Sequence, residues 1–576
     1  MGMLYSTEEL AWHTGHYLTL SRYKRAAKSK NAAAASYRNS AFLVVPQSSS
    51  TKVAIPRSPS RSISQDPEEN RSFEYFQLHT LPMWTEFFPS ELWSRTILQL
   101  SHAEPAIRHG ILALSTMHAR YESITPLSTP NAVDAAFLQY TQAVNHSNAL
   151  LRAHQAGKVS LDMVLIACII FTSYENVAGN YRAASMHLKN GLRILDQNRN
   201  MPGARKTALQ DDIANVLYRL DVQAMTFSDN ASNYEYRMDE IPACPEIPPI
   251  YLDNSAARND LVGILRCMMW AMGIIEEDHS VAQDPQWYRV HDQILTALNA
   301  WDVVFETYRQ SLTTLWQHDP KIYAGNTLLR ISALTIRTIV GAKAGVWSEM
   351  AWDAYLDNFT AIVDLAETIP LLKPQSRAPS LSRGSSPAPY FSPLPHGGDN
   401  QAFDAPPDYH SSSSFSPSFE LSPIVPLFVV ACRCRDPTTR RRAITLLLRY
   451  RRREGVWDSL GAGMVAAQCM KKEEALSSTE YLNFEDPCFL ARNPGMNFAS
   501  DVPEYRRVRN VSVEVKIVQG RIDLEYSMTT GEKVSERQII YESRGDRGVW
   551  RDGVVGTRME GVDRAFDGGE IAGLEI

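Results

Sequence analysis

The chain has 576 residues, 44% of them hydrophobic and 21% charged, which is too long for one ordinary domain and enough for a large core. A formal net charge of −6 excludes polycation behaviour, so any nucleic-acid contact would need a local basic patch. Seven scattered cysteines, Cys168, Cys244, Cys267, Cys432, Cys434, Cys469 and Cys488, give an odd count with several in apolar runs. They read as reduced thiols in a reducing compartment, not as a disulfide framework.

In chain order, the N-terminus carries no secretory pattern, because Glu8 and Glu9 come early and no apolar stretch follows the basic residues. Gly2 and Ser6 fit the myristoylation pattern, one short enough to arise by chance. The apolar runs Met163–Phe171 and Ile424–Cys432 fall short of the ~20 residues that span a bilayer. A soluble, intracellular protein with no membrane partner is expected. Residues 1–72 read as a disordered tail, with a basic cluster at Arg22, Lys24, Arg25, Lys28 and Lys30 and a Ser/Pro/Thr-rich stretch at 46–65.

Residues 73–370 read as a helical domain. Pro105 suits the first turn of a helix on which Ile107, Ile111, Leu114, His118 and Tyr121 share a face. Further helices are expected near 133–154, 160–175, 180–196, 205–228, 257–276, 285–315 and 320–369, with no convincing strand between them. Residues 371–422 are dense in Ser and Pro and read as a disordered insertion. Its Ser-Pro steps at Ser386, Ser392, Ser416 and Ser422 are candidate sites of proline-directed phosphorylation. Helices resume over 423–500. Over 501–576, Val511, Val513, Val515 and Ile517, then Ile522, Leu524, Tyr526 and Met528, alternate around Gly520, a β-hairpin signal ahead of a loose C-terminal tail. The expected fold class is mainly α: a multi-helix domain with a small β-hairpin segment near its end.

No motif supplies a catalytic, cofactor or metal site. The sequence has no C-x-x-C, H-E-x-x-H, P-loop or G-x-S-x-G element. His102 and His109 read as surface or core histidines. Gly461, Gly463 and Ala466 nominally fit a dinucleotide fingerprint but lack the preceding strand, so they read as small residues that let helices pack closely.

The most informative stretch is Cys432–Glu474. Asp436-Pro437 reads as an N-cap with proline in the first turn. The expected helix carries Arg440, Arg441 and Arg442, an apolar stripe of Ala443, Ile444, Leu447 and Leu448, then Arg449, Arg451, Arg452 and Arg453 in its last turn, with Gly455 to end it. Seven arginines exceed what capping needs. They form either a surface for an acidic partner or nucleic acid, or an internal salt-bridge network with Asp458, Glu473 and Glu474. The network is favoured, because Tyr450 and Trp457 look like core anchors and no aromatic series accompanies the arginines.

The same stretch carries a resemblance. Cys434-Arg435-Asp436-Pro437, Arg440-Arg441-Arg442-Ala443-Ile444 and Arg452-Arg453-Glu454-Gly455-x-Trp457-Asp458 resemble the C-terminal part of the regulatory region of fungal zinc-cluster transcription regulators. Leu92-Trp93, Glu104-Pro105-Ala106-Ile107-Arg108-His109, His187-Leu188-x-x-Gly191-Leu192 and Arg219-Leu220-Asp221 fit the same family in the same order. The resemblance implies an all-helical, non-catalytic regulatory region without a cofactor, working in the nucleus and often on secondary-metabolite gene clusters. Protein partners of the transcription machinery, a DNA-binding partner or a second copy in a dimer are implied. No cysteine precedes Cys168, so the family's six-cysteine zinc cluster has no counterpart in this sequence, and direct DNA binding by this chain is not expected. The alternative reading is a helical scaffold or adaptor outside transcription.

Overall fold

The computed structural model describes residues 62–122, 131–178, 180–199, 207–227, 236–277, 279–312, 319–343, 348–369, 416–418, 420–449, 452–455, 457–474, 496–516, 521–531, 533–539 and 551–552. The helical body opens a few residues before its expected start. Asp66 caps helix α1 (Pro67–Tyr75) by accepting from Glu68 N at 2.9 Å, and Ile63 and Phe73 are buried. Residues 62–72 therefore belong to the body rather than to a tail.

Two helical cores follow one another. A short helix, α2 (Leu81–Trp84), and α3 (Leu98–Ala103) lead into α4 (Pro105–Glu122), α5 (Asn131–Gln155), α6 (Leu161–Ala178), α7 (Tyr181–Arg199) and α8 (Ala208–Phe227). These pack around Ile111, Leu165, Ile169, Leu188 and Leu217. Helix α6 is long and apolar enough by composition to cross a membrane. Here it is the central helix, with α4, α5, α7 and α8 all against it, and a helix enclosed on all sides is apolar all round for that reason.

The second core joins α9 (Asn254–Glu277), α10 (Pro285–Ser311), α11 (Pro320–Ala342), α12 (Leu356–Thr368), α13 (Ile424–Arg433), α14 (Pro437–Arg449) and α15 (Ser459–Glu474) around Leu261, Leu298, Trp301, Leu328, Leu427 and Leu447. Val222 and Met225 of α8 meet Val262 of α9 and tie the two cores together. The single helix expected over 320–369 is two, separated by a 3₁₀ turn at Glu349–Tyr355 that Ser348 caps.

Among the described residues, two small sheets complete the fold. In one, β1 (Ser416–Ser418) runs parallel to β2 (Arg452–Glu454), which pairs antiparallel with β3 (Trp457–Asp458). Gly455 turns between them with φ +56°, a left-handed conformation that glycine adopts without cost. The other is an antiparallel sheet of β4 (Val508–Lys516), β5 (Arg521–Met528), β6 (Lys533–Ile539) and β7 (Arg551–Asp552). The expected hairpin is its first two strands, with Val511 opposite Tyr526 and Val513 opposite Leu524. Leu524, Tyr526 and Met528, two residues apart and hence on one face, pack on Met464, Val465 and Cys469 of α15. The mainly α fold with a small β segment near the C-terminus is borne out.

The Ser/Pro-rich stretch ends earlier than its composition predicts. Residues 416–418 are a strand in the fold, and Glu420 and Ser422 are buried. The Ser422 hydroxyl accepts from Ile424 N at 3.1 Å, one residue ahead of the Pro423 that opens α13. A phosphate on this buried hydroxyl would displace that bond, so Ser422 does not suit the modification expected of it. Ser386, Ser392 and the side chain of Ser416 lie outside the described residues.

Candidate functional site: a buried arginine and carboxylate lattice

The arginine-rich segment does not form one helix. Asp436 caps α14 by accepting from Thr439 N at 2.8 Å, and the helix ends at Arg449. Arg452 lies in β2, so Arg452 and Arg453 do not crowd a last helical turn, and the dipole argument does not reach them. Gly455 serves the strand turn rather than the helix end. The physical reason is tertiary: the Arg452 backbone is held by β1 and by the Ser459 hydroxyl, while its guanidinium is drawn to Glu86 and Glu454, each 2.9 Å away.

Each described arginine of the segment has a definite place. Arg440 has no exposed surface, pairs with Glu473 at 2.7 Å and donates to Ala431 O. Arg441 grips Glu474 with both terminal nitrogens, at 3.0 and 2.6 Å, the two-pronged geometry that gives arginine its strongest carboxylate contacts. Arg442 is one-third exposed and reaches Asp364 and Glu367 of α12 at 2.7 and 2.8 Å. Arg449 is exposed. Arg451, Tyr450 and the side chain of Arg453 lie outside the described residues. Asp458, an expected partner, instead accepts from Gly461 N at 2.8 Å and caps α15. Trp457 is buried as expected, with its indole N–H donating to Thr226 at 3.0 Å. Gly463 lets α15 approach α14, because a Cβ there would meet Leu448 at 2.9 Å.

Glu473, an expected partner, is the centre of the lattice, and most of the residues around it were missed by sequence reasoning. Arg435, also without exposed surface, donates to Glu473 at 2.9 Å and to Glu349 at 3.1 Å. Glu473 in turn accepts from Val508 N at 2.8 Å, which fastens β4 to the helices. Arg433 bonds Glu349 at 3.1 Å and Arg509 O at 2.6 Å. Arg507 clamps Asp353 through two bonds of 2.8 Å. Burial alone would raise the Glu473 carboxyl, but Arg435 and Arg440 outweigh it and hold the group at about 2. Glu349 is likewise held below its ordinary value against burial by Arg433 and Arg435.

A second knot joins the two helical cores. Buried Glu420 accepts from Arg219 of α8 at 3.2 Å and from Arg258 of α9 at 2.8 Å. Asp221 holds Arg266 at 2.5 Å, and Gln223 donates to Glu420 O. Arg435 and Arg219 stand in the sequence motifs, yet nothing local marks Glu349 or Glu420 as their partners.

Chemically, this lattice spends its charge internally. A groove of about 350 Å³ runs along α14 between Arg441, Arg442, Arg449, Leu446 and Pro437, but Glu367 sits in its wall. It is not the uniformly cationic track that a phosphate backbone needs. Among the described residues, no group of three or more His, Cys, Asp or Glu side chains is placed to hold a metal. His109 bonds Gln139 at 2.6 Å and stacks on His146, while His102 meets Phe73 edge-on.

Residues 71–240 match the fungal specific transcription factor domain. The match begins within α1 and runs past the end of α8, so the Arg219 and Asp221 arms of the lattice lie inside it. The resemblance read from the sequence motifs is thereby borne out, and the domain is that of a transcription regulator. The chain is 26% identical over 462 residues to the aspercryptin biosynthesis cluster-specific transcription regulator of Emericella nidulans, covering 71% of this chain and 73% of that protein. It is 28% identical over 116 residues to a transcription regulator of Purpureocillium lilacinum, covering 19% of this chain and 27% of that protein. No solved structure matches.

Proposed function

We propose that this chain regulates transcription of a biosynthetic gene cluster, acting in the nucleus through protein contacts of its helical regulatory domain and without catalysis. The similarity to a cluster-specific regulator over 71% of the chain carries the reading. The lattice adds to it: Arg440, Arg441 and Arg452 face carboxylates inside the protein, so they are not offered to phosphates. A DNA-binding protein or a second copy of the chain is the partner this reading calls for.

The test is deletion in the native host with transcript profiling and localisation of a tagged chain. The reading expects a contiguous block of biosynthetic transcripts to change and the tag to be nuclear. Unchanged transcripts with a stable cytoplasmic complex would instead support a scaffold. Binding of the purified chain to DNA fragments with a steep inverse dependence on salt would overturn the assignment to protein contacts.

A further inference from the structure

Among the described residues, the antiparallel sheet has an open edge. Its strand order is β4-β5-β6-β7, so β4 pairs with β5 on one side and with no described strand on the other. An open edge presents a row of outward N–H and C=O groups, a template for one more strand. The opposite edge is better guarded. There β7 pairs with the end of β6 at Gln538 and Ile539, and β6 carries Lys533, Glu536 and Arg537, charges of the kind that discourage edge pairing.

The charge lattice sets where the open edge of β4 begins. The Val508 N–H donates to Glu473 at 2.8 Å, the Val508 carbonyl accepts from Arg435 at 3.2 Å, and the Arg509 carbonyl accepts from Arg433 at 2.6 Å. The backbone at the start of the strand is therefore already engaged. The register against β5 also shifts between Val508 and Asn510, an irregularity that bends a strand. Beyond it, Asn510–Lys516 runs in unbroken register with β5. Val511 packs on α15, so strand alternation places Val513 and Val515 on the helix side and Asn510, Ser512, Glu514 and Lys516 on the other face.

We propose that this edge pairs with itself: β4 of one copy joins β4 of a second copy, antiparallel and centred on Val513, to form one continuous sheet across a two-fold dimer. The proposal deepens the reading above, in which a second copy is one of the partners called for, and rests on it for that choice. The sequence of the edge suits this occupant. Val513 is the midpoint of Asn510–Lys516, so two copies centred there overlap over the whole free stretch. Val513 then lies opposite Val513 and Val511 opposite Val515, pairs of β-branched residues that favour a sheet. On the other face, Ser512 lies opposite Glu514 and Asn510 opposite Lys516, so no like charges are opposed. Moving the centre to Glu514 would set two carboxylates against each other, and moving it to Ser512 would shorten the overlap.

The experiment is analytical ultracentrifugation of the purified full chain over a concentration series, where a monomer–dimer equilibrium is expected. Ser512→Glu opposes Glu514 of the other copy at two symmetric positions and should weaken association about tenfold, whereas Ser512→Lys should tighten it by a similar factor. Val513→Cys puts two thiols on the dimer axis, where facing Cα atoms lie about 5.5 Å apart, within reach of a disulfide. Mild oxidation should then yield a peptide linked through position 513 of both copies, read by mass spectrometry. A monomer at every concentration would overturn the proposal and leave the edge to an extended segment of another protein. A dimer that forms equally well with both Ser512 variants would place the interface elsewhere and overturn it too, and this arm stands even if the cysteine variant does not fold. Association is read on the purified chain, so its failure is distinct from a failure of the transcript and localisation tests.

Discussion

Arg440 and Glu473 lie 2.7 Å apart with no surface exposed on either side chain. The two residues sit on α14 and α15, and Glu473 reaches on to Arg435 and to the backbone of β4. One carboxylate thus orders three elements that meet only in the tertiary fold. A buried pair of this kind adds little net stability, yet losing one partner is expensive, because the other is left charged in a poor solvent.

Glu473→Gln should therefore destabilise the protein by about 3–5 kcal/mol, read from urea unfolding monitored by circular dichroism. The combined replacement Arg440→Met with Glu473→Leu should cost less than the single change, although Arg435 then keeps one carboxylate, Glu349, beside the Arg433 and Val508 carbonyls. A loss below ~1 kcal/mol in the single variant would show that the lattice is not held as a unit.

Among the arginines of the segment, burial should decide the outcome. Arg441→Ala takes the two-pronged guanidinium from buried Glu474, and Arg452→Ala takes it from buried Glu454, so each should lower the melting temperature by several degrees. Arg449→Ala, on the exposed face, should stay within about ±0.5 kcal/mol. A stable Arg441 or Arg452 variant that loses a captured partner would instead point to an interaction surface.

The boundary of the Ser/Pro-rich stretch is open to a direct cut. Shortening residues 371–415 to a brief linker should move the melting temperature little, since closure entropy varies slowly with loop length. Extending the cut through Glu420, or replacing Glu420 by Ala, leaves Arg219 and Arg258 without their carboxylate and should cost about 3–5 kcal/mol. Equal melting temperatures for both deletions would contradict the role of Glu420 as the tie between the cores.

Stability should depend on pH with two opposed contributions. Glu473 ionises near 2 in the folded state against an ordinary 4.5. Its contribution is complete above 4.5 and is lost as pH falls toward 2. Burial raises Glu175 from 4.5 to about 7, so its folded form holds a proton that the unfolded chain has released. Stability then declines as pH rises from 4.5 to about 7. Glu175→Gln should remove its share of that decline, Glu454 being raised by burial to about 8 in the same direction, and leave the protein more stable than wild type at pH 8, by up to ~3 kcal/mol. Parallel pH profiles for the two proteins would show that Glu175 is not the source.

The sequence by itself determined the helical class, most helix positions and the first two strands of the C-terminal sheet. Those signals are local: Ile107, Ile111 and Leu114 share a face because a helix repeats every 3.6 residues, and Leu524, Tyr526 and Met528 because a strand repeats every two. The ordered motifs from Leu92 to Asp458 also carried the family resemblance, since they are strings of neighbouring residues. Only the tertiary structure decided what the charges do. Arg435 and Glu349 are separated by a long stretch of chain, and no local pattern records that one guanidinium will neutralise the other's carboxylate. The break after Arg449 and the ordering of Glu420 have the same cause. In each, the partner that makes burial affordable for a charged group lies on a distant element, and attraction between buried charges depends on distance in space, not on distance along the chain.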